Sequence, residues 1–192
     1  MIEHIIHNKG GLHNRVSASI RLLPFTLGET EQYLFSRGIK LDQYQLLQLY
    51  MVMGGIPQYL KHVKKGDSAA QAIDKLCVAK DGPLKMEFTI LYRSLFLNPG
   101  HHEAIVRVMA KQPKGMSRAE IIAACGFTTG GGTTRLFEEL EESGFLTQYI
   151  PFNRTARDII YKLSDEYSIF YLKFIEHARA TGPGSWLKKA TG

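Results

Sequence analysis

Leu49-Tyr50-Met51-Val52-Met53-Gly54-Gly55-Ile56-Pro57-Gln58-Tyr59-Leu60 is the stretch on which the reading of this chain turns. Before Gly54 the apolar residues recur at helical spacing. Paired glycines then stop the helix, and Pro57 stands where a new one can begin with φ already fixed. Two glycines also let the backbone come close to a ligand without a Cβ in the way. A plain helix-stop, helix-start turn accounts for the same four residues, so both readings stay open at this point.

Working outward, Asp42 can cap a helix over Gln43 to Met53, with Leu46, Leu47, Tyr50, Val52 and Met53 on an apolar face. Upstream, Thr26 and Glu29 have capping-box spacing and open a helix that stops at Gly38. Before them, residues 19–25 (SIRLLPF) form a short apolar run closed by a proline, which reads as a strand. That strand has no evident sheet partner nearby. The opening residues 1–7 read as the end of a helix, so the expectation is that the chain starts inside a larger architecture. Downstream, Pro57 begins a short helix through Lys64, and Ser68 with Gln71 repeats the capping-box spacing ahead of a helix ending near Ala79. Pro83 to Leu97 is a further helix, with Asn98-Pro99-Gly100 as the exit from a compact helical bundle over residues 26–97.

The second half changes character. Helical segments at 102–111, 117–125 and 129–142 precede strand-like segments at 145–152 and 158–163. That order is expected of a winged helix-turn-helix, over residues 98–178. Ser117 and Glu120 supply a third capping box, and Gly126 ends the second helix just before Thr128 and Thr129, which can cap the third. Residues 153–157 form a polar hairpin tip, the wing, and a last helix runs from Tyr167 to Ala178. Residues 179–192 read as a truncated linker. The expected class is thus mainly α (α+β), a helical bundle followed by a winged helix.

With 192 residues, 44% hydrophobic, the chain can fill a core; a net charge of +6 permits an acidic partner without requiring one. Cys77 and Cys125 form no metal-ligand or disulfide pattern, no apolar run approaches the ~20 residues of a membrane span, and a secretory signal is not evident, so a reducing cytoplasm fits best. No GxxxxGK[ST] loop is present, nor any acidic pair ending an apolar strand to hold magnesium. No Ser-His-Asp or Cys-His set can be nominated, and adjacent His101 and His102 diverge on a helix, so no metal site is expected. Nucleic-acid contact has better support: Thr128, Thr129, Thr133, Thr134 and Arg135 sit at the end of the third helix that such proteins send into the major groove, and Arg154 and Arg157 lie at the wing tip. Against this stand Glu138, Glu139, Glu141 and Glu142 in the same helix, which repel phosphate.

Taken together, GGLHNR (10–15), SIRLLPFTLGET (19–30), LYMVMGGIPQYL (49–60) and SDEYSIFYLKFIE (164–176), in this order, resemble the prokaryotic AAA+ ATPases of the archaeal-ATPase family, relatives of the STAND and origin-recognition ATPases. In that family a P-loop sheet domain precedes a helical lid and a winged helix. The resemblance implies that residues 1–25 are the remnant of a sheet domain, 26–97 the lid and 98–178 the winged helix. It implies that Gly54, Gly55, Ile56 and Pro57 are the lid element reaching the adenine end of the nucleotide, with Pro57 against the base. Arg15 stands where relatives carry an arginine that senses the γ-phosphate of a neighbouring subunit; a surface arginine at a helix end is the alternative. ATP with magnesium is implied for the intact parent, and no tight nucleotide binding or hydrolysis for this chain alone. The implied partners are DNA through the winged helix, the missing P-loop domain, or other AAA+ subunits. The competing expectation is a stand-alone winged-helix DNA-binding regulator without nucleotide, which should bury residues 19–25 within its own fold.

Overall fold

A computed structural model describes Ala18, residues 20–155, residues 158–177 and Trp186. The expected helix end at residues 1–7, and Arg15, Arg157 and most of the 179–192 tail, lie outside the described residues.

The protein is mainly helical with one small antiparallel sheet. The helices start where side chains satisfy the free N–H groups of a first turn. Helix α1 (Leu27–Ser36) opens with a complete capping box: Glu29 N–H donates to Thr26 Oγ1 at 3.3 Å, and Thr26 N–H to Glu29 Oε2 at 2.8 Å. Helix α2 (Gln43–Met53) is capped by Asp42, whose Oδ1 accepts from Gln45 N–H at 2.8 Å. Pro57 is the first residue of α3 (Pro57–Leu60), shorter than the expected run to Lys64. Ser68 and Gln71 form the capping box of α4 (Ala69–Ile73), which continues as a π-helical turn over Asp74–Val78.

The helix expected from Pro83 begins only at Glu87 in α5 (Glu87–Leu95). Asn98-Pro99-Gly100 is an entrance rather than an exit: Pro99 is the first residue of α6 (Pro99–Ala110), where a missing N–H leaves no intrahelical bond unmade. A two-residue strand, β1 (Met116–Ser117), precedes α7 (Arg118–Cys125), whose Ser117–Glu120 capping box is present. Helix α8 (Gly131–Glu142) is capped by Gly130, with no side-chain cap from Thr128 or Thr129. Strands β2 (Leu146–Tyr149) and β3 (Ile160–Leu163) follow, and the sheet order is β1-β3-β2, with Leu146 opposite Leu163 and Met116 opposite Tyr161. Helix α9 (Glu166–Phe170) is capped by Asp165 and runs into a second π-helical turn, Tyr171–Ile175.

Residues 20–24 depart from expectation. They take part in no strand pairing among the described residues, and Ile20, Leu22 and Leu23 are 84%, 89% and 69% exposed. The Arg21 side chain reaches the Glu142 carbonyl, donating from Nη2 at 2.6 Å. An apolar run favours a strand only when a neighbouring edge supplies its backbone hydrogen bonds. None does so here.

Residues 26–97 and 98–175 share one continuous core. Helix α9 returns across it to pack on α2, and its aromatics join the two halves. The Tyr171 ring stacks on Phe88 at 4.7 Å, Tyr167 meets Tyr59 at 5.3 Å, and Tyr92 meets Phe145 at 4.7 Å. Two hydroxyls of this cluster are paired: Tyr92 with Ser168 Oγ at 3.2 Å, and Tyr167 as donor to the Leu84 carbonyl. Phe88 is fully buried at the centre of this cluster. Phe88→Ala should cost about 3–5 kcal/mol, and denaturant unfolding should remain a single transition at a lower midpoint. Two separate transitions would show that the halves do not share this core.

Candidate functional site

Gly54 ends α2 with φ 56°, a left-handed conformation, and its N–H donates to the Tyr50 carbonyl at 2.7 Å. Its place is crowded as well, since a Cβ there would lie 2.9 Å from Glu166 Oε2 at the start of α9. Gly55 is more restricted. A Cβ on it would overlap the Phe25 carbonyl oxygen outright, so only glycine lets the two backbones pass. They are joined there by Phe25 N–H donating to the Gly55 carbonyl at 2.7 Å, and the Tyr50 hydroxyl donates to the Phe25 carbonyl at 3.0 Å. The close approach that two glycines implied is therefore made by the chain itself, at the end of the exposed 20–24 segment.

Ile56 is half-buried and Pro57 exposed, so the outer side of the turn is open. Charge gathers on its inner side. Burial pushes the half-buried Glu166 carboxyl above its ordinary range; its own backbone N–H opposes this and the neighbouring Asp165 adds to it. Burial, then the charges of Glu166 and Glu29, raise the Tyr50 phenol, so this hydroxyl stays a donor to Phe25. The turn thus touches the segment that enters it and the first residue of α9.

At the second candidate site, the tip of α8, the structure divides the predicted residues. Thr128 and Thr129 are exposed. Thr133 is buried and donates its hydroxyl to the Thr128 carbonyl at 2.7 Å, closing the turn between α7 and α8. Thr134 donates to the Gly130 carbonyl at 3.2 Å and accepts from Arg118 Nη2 at 2.6 Å. Both hydroxyls serve the fold. Arg135 is exposed and paired with Glu139 at 2.8 Å, and Arg154 is exposed in the β2–β3 connection beside Asn153, whose φ is 59°. Thr128, Thr129, Arg135 and Arg154 thus face solvent, Arg135 with its charge already matched, while a Cβ at Gly130, Gly131 or Gly132 would meet nothing.

The carboxylates of α8 are also sorted by the fold. Glu139 accepts from Arg135 and lies 2.8 Å from Nε2 of the buried His102, whose ring stacks on Phe96 at 3.8 Å and whose Nδ1 is 3.3 Å from the Asn98 carbonyl. Glu141 accepts from Gln148 at 2.6 Å. Of the four, Glu138 and Glu142 are the exposed ones, so the repulsion counted from four residues is concentrated on two. No sequence spacing links His102 to Glu139; the pairing arises from the packing of α6 on α8. Among the described residues no group of three His, Cys, Asp or Glu converges to hold a metal, and no helix is long and apolar enough to cross a membrane.

Comparison with known proteins brought no match, either to family models, to curated proteins or to solved structures.

Gly55→Ala should destabilise the protein by about 1–3 kcal/mol, the usual cost of forcing extra volume into a packed contact. Gly28→Ala, in α1 with open space around it, should be neutral or stabilise by up to about 1 kcal/mol; equal melting temperatures for the two variants would contradict the Gly55–Phe25 contact. A pH dependence follows from Glu139. Burial raises its pKa, but the hydrogen bonds from Arg135 and His102 outweigh this and hold it below 4.5. Its contribution is therefore complete above that value and lost as pH falls through the depressed folded-state pKa. Glu139→Gln should flatten the acid limb of a stability-against-pH curve, and an unchanged limb would show the pairing to be energetically idle.

Proposed function

We propose that this chain is the lid and winged-helix part of an AAA+ ATPase, an ATP-dependent switch that couples nucleotide state to a DNA- or partner-binding winged helix. The P-loop and magnesium ligands, which its sequence does not contain, come from another segment or subunit. One observation carries this reading. The apolar residues 20–24 are exposed and belong to no sheet among the described residues, yet their end is fixed by Phe25 to the Gly54–Pro57 turn. That is the arrangement of a strand whose sheet lies elsewhere and whose exit is keyed to a nucleotide-facing turn.

Two further features support it. The order α6-β1-α7-α8-β2-β3, with β1-β3-β2 pairing, follows the winged-helix order, which directs the exposed tip of α8 and Arg154 toward a duplex. The outer side of α2 carries Tyr44, Leu47 and Met51, exposed at 71%, 43% and 63%, an apolar stripe suited to a covering neighbour. In the mechanism, a nucleotide held by a P-loop domain meets Ile56 and Pro57 on the open side of the turn. The turn displaces α2, and the contact of Gly54 with Glu166 passes the movement to α9 and the shared core, tilting the α7–α8 pair. Release of phosphate reverses the bias. In this reading Arg15 supplies positive charge to the γ-phosphate of a neighbouring subunit's nucleotide.

The continuous core favours a second reading, a stand-alone winged-helix regulator that uses no nucleotide. Thermal melting separates these views from a self-sufficient nucleotide binder: ATP with magnesium up to millimolar concentration should leave the melting temperature of this chain unchanged. A dose-dependent rise, which linkage equates with specific binding to the native state, would contradict the reliance on an external P-loop. Supplying the cognate P-loop segment should then restore an ATP-dependent shift under the switch reading. No shift with that segment present would favour the regulator.

A further inference from the structure

Trp186 is the only tryptophan in the chain, and no role given above uses it. It lines a groove of about 340 Å³ between α2, α4 and α9, together with Met51, Val52, Ala70, Ile73, Phe170 and Phe174. Its indole meets the rings of Phe170 and Phe174 edge to face, at 5.1 Å and 79° and at 5.5 Å and 77°. Paired T-shaped contacts of this kind add to the gain from burying the ring. Its backbone N–H donates at 3.0 Å to Oδ1 of Asp74, a carboxylate only 6% exposed at the start of the first π-helical turn. A buried carboxylate needs donors to offset lost hydration. Trp186 thus forms one wall of the groove, its ring held against Phe170 and Phe174 and its backbone N–H bonded to Asp74.

We propose that Trp186, seated as one wall of this groove, is a latch that ties α9 and the turn after it to the end of α4, beside α2. The elements around the groove include the helix ending at Gly54 and the one starting at Glu166. With Trp186 seated, relative movement of α4 and α9 is resisted; with it displaced by another apolar side chain, that resistance is lost and the Phe170–Phe174 face opens. The latch follows from these contacts, and it holds whether or not a nucleotide acts on the turn.

Because the chain has one tryptophan, its own fluorescence reports the latch. In the full chain the emission should be blue-shifted from that of free indole, and acrylamide should quench it several-fold less than N-acetyltryptophanamide. Phe174→Ala, at a 46% exposed position, should shift the emission to the red and restore quenching, with the helical circular dichroism retained. Trp186→Ala should lower the melting temperature, and Trp186→Phe should recover part of the loss. Free-indole emission in the full chain, or emission indifferent to Phe174→Ala, would overturn the proposal. So would a blue shift that disappears on dilution, because the contact would then be made by a second copy rather than in cis.

Discussion

The crossing of Phe25 over Gly55 is the constraint on which the rest of the architecture depends. The two backbones approach within a distance that forbids any Cβ, and two hydrogen bonds, to the Gly55 carbonyl and from the Tyr50 hydroxyl, hold them. Because Phe25 leads directly into the capping box of α1 and Gly55 lies between the end of α2 and the start of α3, the crossing sets where α1 and α3 start and where α2 ends. Gly54, one residue earlier, faces Glu166, so the same turn also sets where α9 begins. A short loop thereby positions the first bundle, α9 and the exposed apolar segment relative to one another.

Under the proposed switch, the transmission path is made of packing rather than of charge. From the turn the path runs through α2 to α9, and from α9 through stacked Phe88 and Tyr171, and through Tyr92 and Phe145, to the sheet and to α8. Close-packed interiors transmit strain because they compress little, so a displacement at the turn has few places to go except the helix pair beyond. The fold commits its polar groups to the same end. Thr133, Thr134, Arg118, Glu139 and His102 brace the packing around α8, leaving Thr128, Thr129 and Arg154 facing solvent.

Much of the fold was legible because its signals are local. A hydroxyl and a carboxylate or amide three residues apart specify a helix start wherever they occur, and Thr26, Ser68 and Ser117 each do so. The Gly54–Pro57 stop and start was legible for the same reason. Signals with two meanings misled. Pro99 ends one reading and begins another, and only the packing of α6 decides between them. Residues 19–25 have the composition of a strand, but 20–24 take part in no strand pairing among the described residues, and β1 is too short to show any alternation. Long-range pairings were invisible: nothing in the sequence says that Gly55 accommodates Phe25, that His102 holds Glu139, or that Thr133 and Thr134 turn inward. The candidate turn could therefore be picked out from its glycines and proline, while the reason for its second glycine was found only in three dimensions.

The central claim is that residues 20–24 are a strand without its sheet, moored at Phe25. Amide hydrogen exchange read residue by residue on the isolated chain tests it most directly. The account predicts that the amides of Arg21, Leu22 and Leu23 exchange at rates close to those of an unstructured peptide, while the Phe25 amide, bonded to Gly55, is protected. Protection of Arg21 to Leu23 equal to that of Phe25 would contradict it, showing that this segment completes its own fold and awaits no partner.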